Sequence, residues 1–116
     1  ALGTVPPCGG CGAKVGRGPL RAALGHLSSR GDVTVLPGDD AALIGAGQVI
    51  STDHLRPVTE DPALMMRIAA IHALGDIWAM GATPQAALLS LILPRMSPAL
   101  QARTLTEVMA TAAQVL

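Results

Sequence analysis

Asp61-Pro62-Ala63-Leu64-Met65-Met66-Arg67-Ile68-Ala69-Ala70-Ile71-His72-Ala73-Leu74-Gly75-Asp76-Ile77-Trp78-Ala79-Met80-Gly81 reads as one long helix with both ends marked. Asp61 is a capping residue, and Pro62 falls in the first turn, where a missing N–H leaves no hydrogen bond unmade. Gly81 is a stop signal just past Met80. The interior is apolar except for Arg67, His72 and Asp76.

Upstream, Ala41-Ala42-Leu43-Ile44 and Gln48-Val49-Ile50-Ser51-Thr52 read as paired strands, because Gly45-Ala46-Gly47 is short and permissive enough for a hairpin turn. Val33-Thr34-Val35-Leu36 reads as a further short strand closed by Pro37-Gly38. Pro19 opens a helix carrying Leu20, Ala23, Leu24 and Leu27 at helical spacing. Residues 1–18 are rich in Gly and Pro and read as a flexible arm. Downstream, Gln85 to Leu93 is a nearly continuous apolar run ending at Pro94, the pattern of a strand buried on both faces. Ser97-Pro98 opens a last helix that runs to the end without a capping residue, so the natural protein is expected to continue. The expected fold class is α/β (α+β), a small mixed sheet with helices packed on one face. Its division is an arm over 1–18 and one domain over 19–116.

Composition narrows the function. The 116 residues hold eight basic and eight acidic side chains, for a formal net charge of zero. Nucleic acid would call for a basic excess or stripe, so it is not the expected partner. Arg67, His72 and Asp76 interrupt the longest apolar stretch, and no membrane-spanning segment is expected. Two cysteines make no disulfide framework, and with no secretory leader visible a reducing cytoplasm is the expected setting. There is no Phe or Tyr and a single Trp, Trp78. The core is therefore expected to be aliphatic, with Met65, Met66 and Met80 as fillers.

Asp76 sits in the apolar part of the long helix, where an unpaired carboxylate costs several kcal/mol. It is expected to be paired, protonated or metal-bound, with His72 one turn earlier on the same face; an ordinary helix-end Asp on a polar stripe is the alternative. Asp39-Asp40 stands at the mouth of the first hairpin strand, and Asp53 follows the second, so Asp40 and Asp53 are expected at one open end of the sheet. With Asp76 they would make a cluster of acids that repel one another unless a cation is present. Mg²⁺, which takes oxygen ligands and bridges nucleotide phosphates, suits it; for Asp39-Asp40 taken alone an ordinary exposed turn is the alternative. Cys8 and Cys11 form a Cys-x-x-Cys pair without the further ligand spacing a zinc site needs, since His26, His54 and His72 are scattered. Lys14 could favour a reactive Cys11 thiolate, although incidental cysteines in a tail remain the alternative. The Lys14-Val15 step departs from the phosphate-loop pattern, which has Ser or Thr after the lysine.

Taken in order, Gly38-Asp39-Asp40-Ala41-Ala42, Ile50-Ser51-Thr52-Asp53 and Arg67-Ile68-Ala69-Ala70 through Gly75-Asp76-Ile77-Trp78-Ala79-Met80-Gly81-Ala82-Thr83-Pro84 resemble the amino-terminal domain of the aminoimidazole ribonucleotide synthetase-like superfamily. Within it, Cys11-Gly12-Ala13-Lys14 is similar to the Cys-Gly-x-Lys motif of the selenophosphate synthetases. The resemblance implies ATP-dependent formation of selenophosphate from selenide and water, giving AMP and orthophosphate. It implies Cys11 and Lys14 as catalytic residues, Asp40, Asp53 and Asp76 as Mg²⁺ ligands, and Lys14, Asp53 and Asp76 as contacts to ATP. Asp39 is a weaker carry-over. A homodimer is also implied, and His72-Ala73-Leu74-Gly75-Asp76 resembles a branch fused to an NADH dehydrogenase-like flavoprotein domain. His72 stands where many members have Asn, which puts local contacts in question. Thiamine-monophosphate kinase shares the acidic blocks and is the competing assignment; a non-catalytic dimerisation module is the other.

Overall fold

The computed structural model describes residues 15–27, 31, 33–34, 40–45 and 47–116. Cys8, Cys11, Lys14 and Asp39 therefore lie outside the described residues. Along the chain the elements are α1 (Arg17–Leu24), β1 (Val33–Thr34), β2 (Ala42–Ile44), β3 (Gln48–Ile50), α2 (Pro62–Ala79) and α3 (Pro98–Val115). The three strands form one antiparallel sheet in the order β1-β2-β3, with Val33 opposite Ile44 and Ala42 opposite Ile50. Gly45 (φ 53°) and Gly47 (φ 113°) carry the hairpin turn in backbone conformations that a side chain disfavours. The small sheet joined to helices was expected; the ladders among the described residues are all antiparallel.

Helix α2 takes its limits from local chemistry. The Asp61 carboxylate accepts from the backbone N–H of Ala63 (2.9 Å) and Leu64 (3.0 Å), satisfying two of the first-turn donors. At the other end Gly81 has φ 70°, its N–H donates to the Trp78 carbonyl (2.9 Å), and the Ala82 N–H donates to Ile77 (3.1 Å). That pair of bonds is a Schellman closure, which accounts for the stop at glycine. In α3, Ser97 Oγ accepts from the Leu100 N–H and Pro98 follows in the first turn. The α1 helix begins at Arg17, two residues before the expected start at Pro19. The ring is tolerated there because first-turn N–H groups have no helical partner.

The core lies between the two long helices. Met66 of α2 packs with Val108 and Ala112 of α3, and Ala70 adjoins them. Each helix contributes residues four apart, so a continuous row from one meets a row from the other. Leu74 and Ala41 are the remaining buried apolar side chains among the described residues. As expected, no aromatic ring takes part: Trp78 is about half exposed. Of the three methionines expected as fillers, Met66 fills the core and Met65 is half-buried, whereas Met80 stays exposed at the end of α2.

One expectation is overturned. Gln85 to Leu93 forms no strand and is not buried: Leu88 is fully exposed and Ile92 is 85 % exposed. A strand covered on both faces needs ladder neighbours and a layer on each side, and the described sheet ends at β1 and β3 without reaching it. Instead Leu89 and Leu91 border a shallow apolar recess of about 280 Å³, completed by Met109, Ala113 and Leu116 of the α3 region. The apolar run reports a tendency to be covered; within this chain nothing among the described residues covers it.

Met66→Ala should therefore destabilise the chain by about 2–4 kcal/mol, because it empties the centre of the α2–α3 contact. At dilutions where the chain is monomeric, Leu88→Ser should change stability by less than about 0.5 kcal/mol, as for an exposed position. Urea unfolding curves of both variants check the pair.

Candidate functional site

The site candidates lie where the end of the hairpin meets α2. Asp40 precedes β2 and Asp53 follows β3, and because Ala42 and Ile50 are the terminal pair, both acids leave the hairpin at the same end. From Ser51 the chain runs on with no ladder partner, passing alongside α2. Ser51 and Asp53, two apart, both reach the helix, while His72 and Asp76, four apart, share one of its faces.

These two pairs meet. Ser51 Oγ donates to Asp76 Oδ2 at 3.0 Å, and the Asp40 carbonyl oxygen lies 3.2 Å from the same hydroxyl. With one proton to give, the hydroxyl serves the two acceptors in turn and ties the start of β2 to the helix through β3. Asp53 Oδ2 lies 3.0 Å from His72 Nε2, and its Oδ1 accepts from the His54 backbone N–H at 2.9 Å. The apolar helix thus holds two of its three polar side chains, His72 and Asp76, against partners from one segment.

Of the residues expected to form the site, Asp53 and Asp76 are brought to the same strip of α2, and Asp40 joins them through its backbone carbonyl. Asp76 is paired, one of the three states its position demanded. Arg67 is exposed on another face of the helix, and His26 and His54 are exposed as well. Sequence reasoning gave no part to Ser51. The alternation in Ile50-Ser51-Thr52-Asp53 puts Ser51 and Asp53 on one side, and that was the available signal.

Among the described residues no three of His, Cys, Asp and Glu converge closely enough to cage a metal ion. Mg²⁺ does not require such a cage: it usually takes one or two protein carboxylates and completes its shell with phosphate oxygens and water. Asp53 and Asp76, set on one strip, offer hard oxygen donors of that kind. No helix among the described residues is long and apolar enough to cross a membrane.

The family described as AIR synthase related protein, N-terminal domain, matches residues 38–116, which include every residue of this strip. Among curated proteins, a selenide, water dikinase of Desulfitobacterium hafniense (strain Y51) is 43% identical over 88 residues, covering 69% of this chain and 26% of that protein. One of Myxococcus xanthus (strain DK1622) is 42% identical over 89 residues, covering 70% and 25%. One of Treponema denticola is 40% identical over 87 residues, covering 68% and 25%. The chain thus spans 26% or less of the length of these relatives. No solved structure matches it.

If the Ser51 hydroxyl holds Asp76 in solution, Ser51→Ala should cost about 0.5–1.5 kcal/mol of stability. A double-mutant cycle with Asp76→Ala, read by urea unfolding, should return a coupling of similar size. Strict additivity of the two substitutions would show that the bond contributes nothing.

Proposed function

The chain belongs to the AIR synthase-related family through its amino-terminal domain, and on that premise we propose that it is the ATP-binding part of a selenide, water dikinase. The observation that carries the proposal is the strip on α2, where Asp53 and Asp76 are gathered by Ser51 and His72 inside the region that matches the family. The names of the relatives supply the substrate class.

In this reading ATP, selenide and water give selenophosphate, AMP and orthophosphate. Asp40, Asp53 and Asp76 would hold Mg²⁺, and Asp53 and Asp76 with Lys14 would contact the ATP. Bound Mg²⁺ supplies charge neutralisation at the phosphate oxygens. The pairing of Asp76 with Ser51, and of Asp53 with His72, keeps both carboxylates in place before the nucleotide arrives, which lowers the reorganisation needed on binding. Cys11 handles the selenium nucleophile, and Lys14 contributes a fixed positive charge near the transferred phosphoryl group. Those two roles rest on the Cys11-Gly12-Ala13-Lys14 motif. A thiol with this task needs to stay reduced, so the proposed setting is the cytoplasm.

The uncovered aliphatic run from Gln85 to Leu93 supports a homodimer, in which a second copy covers Leu88 and Ile92. The fusion to a flavoprotein domain belongs to the same reading and rests on residues 72–76 alone.

The deciding experiment is ATP turnover by the full-length protein with Mg²⁺, with and without selenide, under anaerobic reducing conditions. Selenide-dependent AMP is the expected product. ADP formed only when thiamine monophosphate is supplied would move the assignment to that kinase, and no turnover with either substrate would favour a non-catalytic module. Cys11→Ser should abolish the selenide-dependent reaction while retaining Mg²⁺-ATP binding. Asp76→Asn should weaken nucleotide binding at limiting Mg²⁺, as read by calorimetry; unchanged affinity would remove Asp76 from the metal site.

A further inference from the structure

Asp53 is held from two sides, and the two holds differ in kind. The His54 N–H on Oδ1 comes from the next residue, so it moves with the segment that carries Asp53. The His72 imidazole on Oδ2 comes from the middle of α2, whose backbone is hydrogen-bonded on both sides of that position. Residues 51–57 have neither helix nor ladder bonds to fix them. The bond that ties Asp53 to a rigid element is therefore the one from His72.

We infer that His72 is a positioning residue for Asp53: its Nε2–H donates to Oδ2 and fixes the direction in which the carboxylate presents its remaining lone pairs. Each carboxylate oxygen can accept more than one bond, so a cation can still be bound while the imidazole stays in place. Hydrogen-bonded partners of this sort orient metal-binding carboxylates and raise affinity by roughly 10–100-fold. His72 is 55 % exposed and its partner 26 %, so the ring does not serve as packing for the core. Four residues of helix from His72 to Asp76 advance about as far as two residues of extended chain, and the contacts to Asp53 and Ser51 work as a pair that sets the angle between segment and helix.

The inference rests on the proposed metal role of Asp53, and its test separates the two. Mn²⁺ serves as the probe, bound to the full-length protein in the presence of a non-hydrolysable ATP analogue. Free ion is counted by electron paramagnetic resonance. His72→Ala should weaken Mn²⁺ binding about tenfold or more. His72→Gln, whose amide nitrogen reaches about as far as Nε2, should recover most of that loss. Thermal melting should be nearly the same for all three proteins, because position 72 is half exposed on a helix and Ala and Gln are good helix formers. Equal affinity of His72→Ala and wild type would overturn the inference and leave the metal role of Asp53 standing. Failure of His72→Gln to recover binding, or direct ¹⁴N coupling to Mn²⁺ in pulsed spectra of the wild type, would overturn it in favour of a ring that ligates the ion. Absence of Mn²⁺ binding by the wild type would overturn the metal reading itself, and this inference with it.

Discussion

The match in pitch between α2 and the segment that follows β3 is the constraint on which the site depends. Two residues of extended chain advance about 6.6 Å, and four residues of α-helix advance about 6.0 Å. Ser51 and Asp53 can therefore meet Asp76 and His72 in one antiparallel register, with a mismatch that side-chain torsions absorb. A slip of one residue along the segment would turn Thr52 toward the helix and both partners away from it. The site is thus a short ladder made from side chains instead of backbone groups, joining a strand end to a helix.

Such a register holds only if α2 starts and stops at fixed points. The Asp61 cap with Pro62 sets one end, and the Gly81 closure sets the other. Both devices are local and legible, and the helix reads from sequence to within about a residue, within the ordinary scatter of boundary assignment. The hairpin was legible for the same reason, since Gly45 and Gly47 sit where positive φ is needed. What a sequence cannot display is partnership across the chain. That Asp76 needed a partner followed from its apolar surroundings; that the partner is Ser51, 25 residues away, follows only from the fold. The pairing of His72 with Asp53 is of the same kind.

The apolar run from Gln85 to Leu93 failed in the opposite direction. Its composition states that burial is favourable and says nothing about what does the burying. Covering a side chain such as Leu88 or Ile92 is worth about 1.5–3 kcal/mol each, comparable with much of what a thin aliphatic core supplies. A chain that leaves both exposed has stability to gain from any surface that covers them, and a partner that did so would stabilise the fold through mass action.

Helix α2 connects that thin core to the site. Met66, Ala70 and Leu74 lie on one side of it, and His72 and Asp76 lie about 140° around the axis at 100° per residue. The packing of Met66 against Val108 and Ala112 sets the rotation of the helix, and the same rotation sets where His72 and Asp76 stand relative to Ser51 and Asp53. A helix is too stiff to twist independently at its two faces, so a shift in the α2–α3 contact displaces the ladder as a unit. The acids and their partners are therefore positioned from behind by aliphatic contacts that touch none of them. Residues such as Ala112, chosen by size alone, are part of what brings Asp53 and Asp76 together.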